Sequence, residues 1–222
     1  MRVSCDVSLT ITEISQLESL HIRGCGDVDF RPLWEAKRLR ALAVHDPALR
    51  DIRMVAAIRS LESLVLESSD VHDLGAMGPL SGLREVVVVD TPLTDLRPLA
   101  RLSELERLDV SDSYVVDLAP LGGLQSLHTV IAPRARIGSV QSLAALPSLR
   151  EVDLYDNGVA DITPLLDNPA LGEGASINLS GNCLDLDDPE TAAAIFALRA
   201  RGVRLAVEPQ KPSCGDRSYY GE

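Results

Sequence analysis

A leucine recurs every 22 residues along most of this 222-residue chain. Each of these leucines is followed, after three and after five residues, by a further aliphatic side chain, which gives the pattern L-x-x-L-x-L. Seven positions keep this interval without a slip: Leu17, Leu39, Leu61, Leu83, Leu105, Leu127 and Leu149. A fixed period of this size indicates a repeat architecture, because one unit cannot bury its own apolar face and successive units must stack.

Each unit divides into a strand and a short connection. The alternation within L-x-x-L-x-L has the period of a strand whose alternate residues face inward. The rest of the unit is too short for a two-turn helix with its turns, and its recurring segment D-Φ-x-P-L predicts a tight 3₁₀ turn. Because these connections are equal in length and longer than a hairpin needs, we expect successive strands to lie parallel.

These repeats resemble those of leucine-rich repeat proteins, in particular the 22-residue class of bacterial internalin-like domains. The resemblance covers roughly residues 17 to 207. It implies an α/β fold, a right-handed leucine-rich-repeat solenoid with a parallel β-sheet on its concave face and short 3₁₀ turns on its convex face.

Members of this family carry an Asn at one position of each unit, where its amide satisfies main-chain groups of the adjacent turn. We expect local irregularity at Pro47 and Ala135, because neither side chain can replace the amide. The position is held here by Cys25, Pro47, Ser69, Thr91, Ser113, Ala135, Asn157 and Asn182.

The pattern predicts four parts of the chain. Residues 1–16 are expected to be an N-terminal cap strand, because Val3, Cys5, Val7, Leu9 and Ile11 alternate with polar residues. Residues 17–182 hold the leucine-rich repeats, seven units in register and a last unit. Residues 183–209 are expected to form a C-terminal helix–strand cap, and residues 210–222 a flexible tail.

The C-terminal cap has its own signals. Asp188-Pro189-Glu190 is typical of a helix start, with an N-cap carboxylate, Pro at the first helical position and an acid in the first turn. We expect this helix to end at Gly202. Val203, Leu205 and Val207 then predict one more strand.

Charge and composition exclude several classes of function. With 21 Lys and Arg against 33 Asp and Glu, the net charge is −12, which argues against binding to a phosphate backbone. One Trp, two Phe and four Tyr are too few for a base-stacking platform. No secretory signal or membrane span is predicted.

The chemistry-bearing residues form no recognisable catalytic or metal-binding motif. The four Cys have no zinc-binding spacing, so we expect free thiols and a cytoplasmic location. The sequence contains no G-x-S-x-G, H-E-x-x-H or P-loop motif, and Gly24-Cys25-Gly26 lacks the third glycine of a dinucleotide loop. We therefore expect a non-enzymatic protein without cofactor or metal.

Six aspartates share one position of the repeat. Each can accept the main-chain N–H two residues further on and thereby cap the turn that follows. We interpret them as structural, because a column of like charges repels itself. They are Asp29, Asp51, Asp73, Asp95, Asp117 and Asp161.

The outward-facing strand positions are the candidate functional surface. An exposed apolar patch with a charged border is the usual anatomy of a protein-binding surface, although β-branched residues also favour strands for their own sake. The predicted partner-binding residues are Val65, Glu67, Glu85, Val87, Val89, Arg107, Asp109, Ser111, Ile131, Asp153 and Tyr155. Just after the strands, Asp46, Asp90, Asp112 and Asp156 are expected to form an acidic rim that favours a basic partner.

The leading hypothesis is a monomeric, cytoplasmic bacterial binding module that holds a protein or peptide, and neither nucleic acid nor membrane, on its concave face. A narrower alternative is an immunity or inhibitor protein that masks a basic enzyme such as a nuclease. A second alternative treats the solenoid as a recognition handle for an enzyme that modifies or cleaves the tail, which runs from Ser213 to Glu222 and holds Cys214, Tyr219 and Tyr220.

Overall fold

The structure, a computed structural model, describes residues 2–3, 10–24, 31–211 and 214. Within them, ten strands form one parallel sheet whose order follows the chain. The strands are β1 (Arg2–Val3), β2 (Ser19–Arg23), β3 (Ala41–His45), β4 (Ser63–Glu67), β5 (Glu85–Val89), β6 (Arg107–Asp109), β7 (Thr129–Ile131), β8 (Glu151–Asp153), β9 (Ser176–Asn178) and β10 (Arg204–Ala206). Two α-helices, α1 (Ile11–Gln16) and α2 (Pro189–Ala200), lie near the two ends of the described chain.

Short 3₁₀ turns connect the strands from β2 to β9, as the length of the connections predicted. The fold is therefore the predicted leucine-rich-repeat solenoid with a C-terminal helix. The turns span Arg31–Glu35, Arg53–Ala57, Gly75–Met77, Arg97–Arg101, Ala119–Leu121, Gln141–Ala145 and Thr163–Asp167.

The core is an aliphatic stack between the sheet and these turns. All seven leucines of the 22-residue series are buried, and Leu39, Leu61 and Leu83 are fully enclosed. None of the buried core side chains in the described residues is aromatic. Burial of this aliphatic surface is the main stabilising term, and each unit contributes through its neighbours.

The repeated aspartates cap the turns as predicted. Each of the five described members accepts the main-chain N–H two residues further on, as Asp117 does from Ala119 at 2.7 Å. Asp51, Asp73, Asp95 and Asp161 make the same bond at 2.8 to 2.9 Å. The first member of the series, Asp29, lies outside the described residues.

The asparagine position satisfies buried main-chain groups. Asn157 donates to the carbonyl of Ala132 at 2.8 Å and accepts the N–H of Ile137 at 2.9 Å. Asn182 makes the equivalent bonds one unit later, and Ser113 replaces part of this pattern by donating to Val110 at 2.7 Å. Cys25, at the first such position, lies outside the described residues.

The expected irregularity occurs at Pro47 and not at Ala135. In the regular units, the residue five positions after the first residue of the strand adopts a left-handed conformation, as Arg134 does with φ of 52°. Asp46 does not adopt it, because a residue that precedes proline is restricted to extended conformations. Ala135 lies in regular backbone, since Arg134 still donates to Tyr155 at 2.9 Å.

The N-terminal cap differs from the prediction of one long strand. Among the described residues of this segment, residues 2–3 pair with β2 as a strand, and Ile11 begins the helix α1. A capping box explains the helix, because Thr10 accepts the N–H of Glu13 while Glu13 accepts the N–H of Thr10. Cys5, Val7 and Leu9 lie outside the described residues.

The C-terminal cap follows the prediction. Asp188 accepts the N–H of Thr191 at 2.8 Å and starts α2, and Pro189 is its first residue. This bond to the main chain of Thr191 is the chief reason that the pKa of Asp188 lies below its ordinary value. The strand β10 follows, with Val203, Leu205 and Val207 buried.

The prediction of free thiols is wrong for the two described cysteines. Cys183 and Cys214 form a disulfide with Cα atoms 5.5 Å apart. The pairing was not evident in the sequence because 31 residues separate the two positions and only the fold brings them together. Cys5 and Cys25 lie outside the described residues.

Candidate functional site

The pairing register builds the candidate surface. Every strand from β2 to β9 pairs with the next without offset between equivalent repeat positions, so outward-facing side chains align in columns as predicted. The central column contains His21, Ala43, Val65, Val87, Asp109, Ile131, Asp153 and Asn178. We call the outward side of these strands the concave face.

Side chains of the central column set the length of several strands. Asp109, Asp153 and Asn178 each accept the main-chain N–H two residues further on, at 2.9 to 3.1 Å. Such a turn competes with the strand ladder, and β6, β8 and β9 are three residues long. Where the column holds Ala43, Val65 or Val87, the strands keep five residues, whereas β7, with Ile131 in the column, has three and is followed by Pro133, which has no N–H to donate to a ladder.

Three valines lie together on the concave face. Val65 pairs with Val87, and Val89 is two residues further along β5 opposite Glu67. All three side chains are half-buried, whereas the inward-facing Val86 and Val88 are fully enclosed. We call Val65, Val87 and Val89 the valine cluster. The structure therefore brings these predicted residues together.

The predicted residues of β6 and β7 are not all available to a partner. Arg107 lies 3.6 Å from Glu85 and 3.7 Å from Asp109, so these charges are matched within the sheet. Ser111 is buried and its hydroxyl donates to Asp109 at 2.5 Å, which leaves it little surface for recognition. Ile131 is half-buried and separated from the valine cluster by the strand that carries Asp109.

The strand β8 carries two carboxylates, and an aromatic side chain follows it. Asp153 accepts bonds from the main chain of Tyr155 at 2.9 Å and from the amide of Asn178 at 3.1 Å. The Tyr155 side chain is 41% exposed and its ring packs beside Gly181, where a Cβ would lie 3.5 Å from Cε2. Glu151 is exposed and accepts a bond from Thr129 at 3.2 Å.

The predicted acidic rim carries less exposed, unmatched negative charge than its four aspartates imply. Asp112 is paired with Arg134 at 2.6 Å, and Asp156 with Lys211 at 3.1 Å. Asp46 is buried, because Pro47 changes the backbone there, and it caps Ala48 at 2.9 Å instead of facing a partner. Two of the four predicted rim carboxylates are therefore matched by a cation, and a third is buried.

A column of alternating charge borders the concave face on the other side. It lies immediately before the strands, and neighbouring units form ion pairs, as Arg84 and Glu106 do at 2.5 Å. Arg40 and Glu62 form another such pair. The 22-residue interval of the sequence could have revealed this column of charged residues. The members of the column are Glu18, Arg40, Glu62, Arg84, Glu106, His128 and Arg150. Opposite neighbours cancel along the column, which makes it a structural feature.

Two other features are absent from the described residues. None of the helices in this part of the chain is long and apolar enough to cross a membrane. Nowhere in the described ranges do three or more His, Cys, Asp or Glu side chains form a group that could hold a metal ion.

Comparison with known proteins identifies similar folds. No protein-family model matches the chain, and no similar sequence is found among curated proteins. Crystal structures of two internalins from Listeria monocytogenes are similar to this chain. Internalin C2 has 29% sequence identity, with 72% of this chain and 71% of that chain covered, at a TM-score of 0.65. InlF has 20% sequence identity, with 91% of this chain and 64% of that chain covered, at a TM-score of 0.67. The leucine-rich-repeat ectodomain of the Arabidopsis thaliana receptor kinase GASSHO1/SCHENGEN3, solved with CASPARIAN STRIP INTEGRITY FACTOR 2, has 17% identity over 86% of this chain and 23% of that one, at 0.66.

Proposed function

We propose that this leucine-rich repeat protein, of the 22-residue internalin-like class, is a binding module that holds a protein or peptide on its concave face. The observation that carries the proposal is the valine cluster, three apolar side chains on the outward side of the sheet. The likeness to the plant receptor ectodomain supports the fold alone, so the proposal depends on this chain's own residues.

The valine cluster is not explained by the core. The aliphatic stack already fills the inward positions of β5, where Val86 and Val88 are fully enclosed. Val87 and Val89 face away from it and remain half-buried, which leaves apolar surface that a partner could cover. Strand propensity explains a single valine, whereas two outward valines in β5 and a third beside them in β4 form a patch.

Charges around the valine cluster match the anatomy of a protein interface. Glu67 and Glu85 border it, with the Arg107 ion pair next to them. Interfaces commonly combine an apolar centre with a polar border that remains in contact with water. A binding role without catalysis is accordingly our proposal, and it needs neither cofactor nor metal.

The narrower alternative, an inhibitor of a basic enzyme, is favoured by the carboxylates of β8. Glu151 and Asp153 have no cation within ion-pair distance among the described residues. Binding to a basic enzyme would weaken as salt is added, because screening reduces attraction between exposed charges. The tail alternative loses one premise, since Cys214 is in a disulfide; residues 215–222 lie outside the described part, and that alternative stays a prediction.

Affinity capture from the host organism tests the proposed function. Wild-type protein and the Val87→Arg and Tyr155→Arg variants serve as baits, with Val116→Arg as a matched control because Val116 is 56% exposed and lies away from the strands. We expect the same partner on the wild-type and control baits, and its loss on the two concave-face variants. A partner retained by both variants would contradict the concave-face assignment.

A further inference from the structure

We infer that this protein has a second binding site, a depression on the side of the solenoid that takes a phosphate group at Lys37 and Arg59. The depression has a volume of about 430 Å³ and includes part of the column of alternating charge. None of the valine cluster lines it. The inference is therefore independent of binding on the concave face.

Two small residues form the floor of this depression. The residue immediately before the repeat leucine is Arg38, Ser60, Gly82 and Glu104 in four successive units. Ser60 and Gly82 leave a gap between the longer side chains of Arg38 and Glu104, and all four residues line the depression. The Ser60 hydroxyl donates to the carbonyl of Leu39 at 2.7 Å, which holds this side chain against the main chain. The sequence of these four units thus explains where the depression lies.

The depression is basic in a chain whose net charge is −12. Five cations against three carboxylates in its lining leave a net charge of +2. Each carboxylate is matched by an arginine that also lines the depression. The three pairs are Glu18 with Arg38 at 2.8 Å, Glu62 with Arg40, and Glu104 with Arg84 at 3.6 Å. The two cations that remain are Lys37 and Arg59.

Lys37 and Arg59 are neighbours, because they occupy the same position in adjacent units, two residues before the repeat leucine. The Lys37 ammonium donates to the carbonyl of Trp34, and the Arg59 guanidinium donates to that of Pro79 at 3.3 Å. Among the described residues, neither cation has a carboxylate within ion-pair distance. Adjacent units lie about 5 Å apart, so these like charges repel, and an anion bound between them removes the repulsion.

The donors and the charge of the depression suit a phosphate group. Arginine presents a planar fork of N–H donors and lysine a compact ammonium, and proteins use both groups to bind phosphate. A phosphate group with close to two negative charges matches the net charge of +2, whereas a carboxylate neutralises half of it. The volume lies within the range of small-molecule sites, about 300 to 1,000 Å³, which leaves room for the group that carries the phosphate.

Titration of the isotope-labelled protein, followed by NMR, tests this inference. The probes are inorganic phosphate, a capped tripeptide glycine–phosphoserine–glycine, and the same tripeptide with aspartate in place of phosphoserine. All are compared at one ionic strength, since salt screens exposed charges. We expect both phosphates to shift the main-chain amide signals of Ser60 and Gly82 with a Kd of about 1 mM, and the aspartate tripeptide to bind at least about tenfold more weakly.

Two double variants distinguish this site from a general effect of positive charge. Lys37→Gln/Arg59→Gln removes the two unmatched cations and should raise the Kd for phosphate at least about tenfold. Arg199→Gln/Arg201→Gln is the matched control, because these exposed arginines near the end of α2 also donate to main-chain carbonyls, at 3.1 and 2.8 Å. The control should change Kd by less than about twofold.

The two phosphate probes also identify the source of the ligand. Tighter binding of the phosphoserine tripeptide would support a phosphorylated side chain of a protein, and equal or tighter binding of inorganic phosphate would support the free ion. Absence of shifts at Ser60 and Gly82, or equal binding of the aspartate tripeptide, would overturn the inference. Binding that persists in Lys37→Gln/Arg59→Gln, or is lost equally in the control variant, would overturn it as well.

Discussion

Gln210 makes, one unit further along the solenoid, the hydrogen bonds that Asn182 makes within the repeats. The Gln210 amide donates to the carbonyl of Leu179 at 3.1 Å and its oxygen accepts the N–H of Leu184 at 3.0 Å. Asn182 donates to Leu154 at 2.8 Å and accepts from Val159 at 3.0 Å. The segment after β10 therefore completes the last unit, and the disulfide of the neighbouring Cys214 attaches it to the solenoid.

Breaking this disulfide should destabilise the C-terminal cap. A cross-link that closes a loop of this size contributes about 2 to 4 kcal/mol. We expect Cys214→Ser to lower the Tm measured by circular dichroism under oxidising conditions. Reductant should lower the Tm of the wild type to a similar value and leave that of Cys214→Ser unchanged. Equal Tm values for wild type and variant without reductant would contradict the role of the disulfide.

The same bond bears on the compartment. The predicted cytoplasmic location depended on free thiols, whereas disulfides persist mainly in oxidising environments. Thiol titration and intact-mass measurement of protein purified from its host under alkylating conditions would decide between a reducing and an oxidising compartment. Alkylation of Cys183 and Cys214 would favour the predicted reducing cytoplasm, and protection of both would favour an oxidising compartment.

Core packing should be most sensitive in the central units. Leu108 is fully enclosed between neighbouring rungs of the solenoid. We expect Leu108→Ala to reduce the free energy of unfolding by about 2 to 5 kcal/mol, through lost burial and the cavity that remains. Val116→Ala removes an exposed side chain and should change it by less than about 0.5 kcal/mol. Chemical denaturation of the two variants checks this difference.

Replacing the polar side chain should change the stability in opposite directions at two residues of the asparagine position, Asn157 and Thr91. Asn157→Ala leaves the buried main-chain groups of Ala132 and Ile137 without their partner and should cost about 3 kcal/mol. Thr91 is buried, and its hydroxyl has no hydrogen-bond partner among the described residues. We therefore expect Thr91→Val to be about 1 kcal/mol more stable than the wild type. Urea denaturation of both variants measures the effects, and a loss of stability in Thr91→Val would show that its hydroxyl does have a partner.

Acid should weaken the turn caps. Bonds from the Arg53 and Arg97 side chains, and then from their main-chain N–H groups, hold the pKa values of Asp51 and Asp95 below the ordinary value. A lowered pKa in the folded state gives stability that is present above the unfolded-state pKa and is lost as the pH falls through the folded-state value.

The effect can be measured with asparagine variants. Asp51→Asn/Asp95→Asn keeps an acceptor for the main chain but no longer titrates, so its Tm should fall less steeply than that of the wild type between about pH 5 and pH 3. Because both aspartates are exposed, we expect a small difference. Asp167→Asn, which removes an exposed carboxylate from another turn, is the control. Parallel pH profiles for the wild type and the double variant would contradict the assignment.

The repeat predicted most of the fold because each unit has the same aliphatic positions and the same turn-capping position. The 22-residue interval predicted which side chains share a rung, and the pairing of Val65 with Val87 follows it. The caps of Asp95 and Asp117 were equally predictable, since the bond joins residues two apart in the sequence.

Features outside the repeat could not be predicted in the same way. Gln210 has no counterpart at the repeat interval, because α2 interrupts the register before it. The Cys183–Cys214 pairing depends on that same arrangement. The segment around Ile11 alternates like a strand, and the capping box of Thr10 and Glu13 decides in favour of a helix. At the site, the sequence placed Ser111 on the surface, whereas the turn made by Asp109 buries it.

The most direct test of the concave-face proposal is the dissociation constant of the captured partner, measured by isothermal titration calorimetry for the wild type, Val87→Arg and Val116→Arg. A central interface residue contributes strongly, so Val87→Arg should raise Kd by about 30-fold or more. Val116→Arg, on a different surface, should change it by less than about twofold. Equal affinities for Val87→Arg and the wild type, with both variants folded, would contradict binding through the valine cluster.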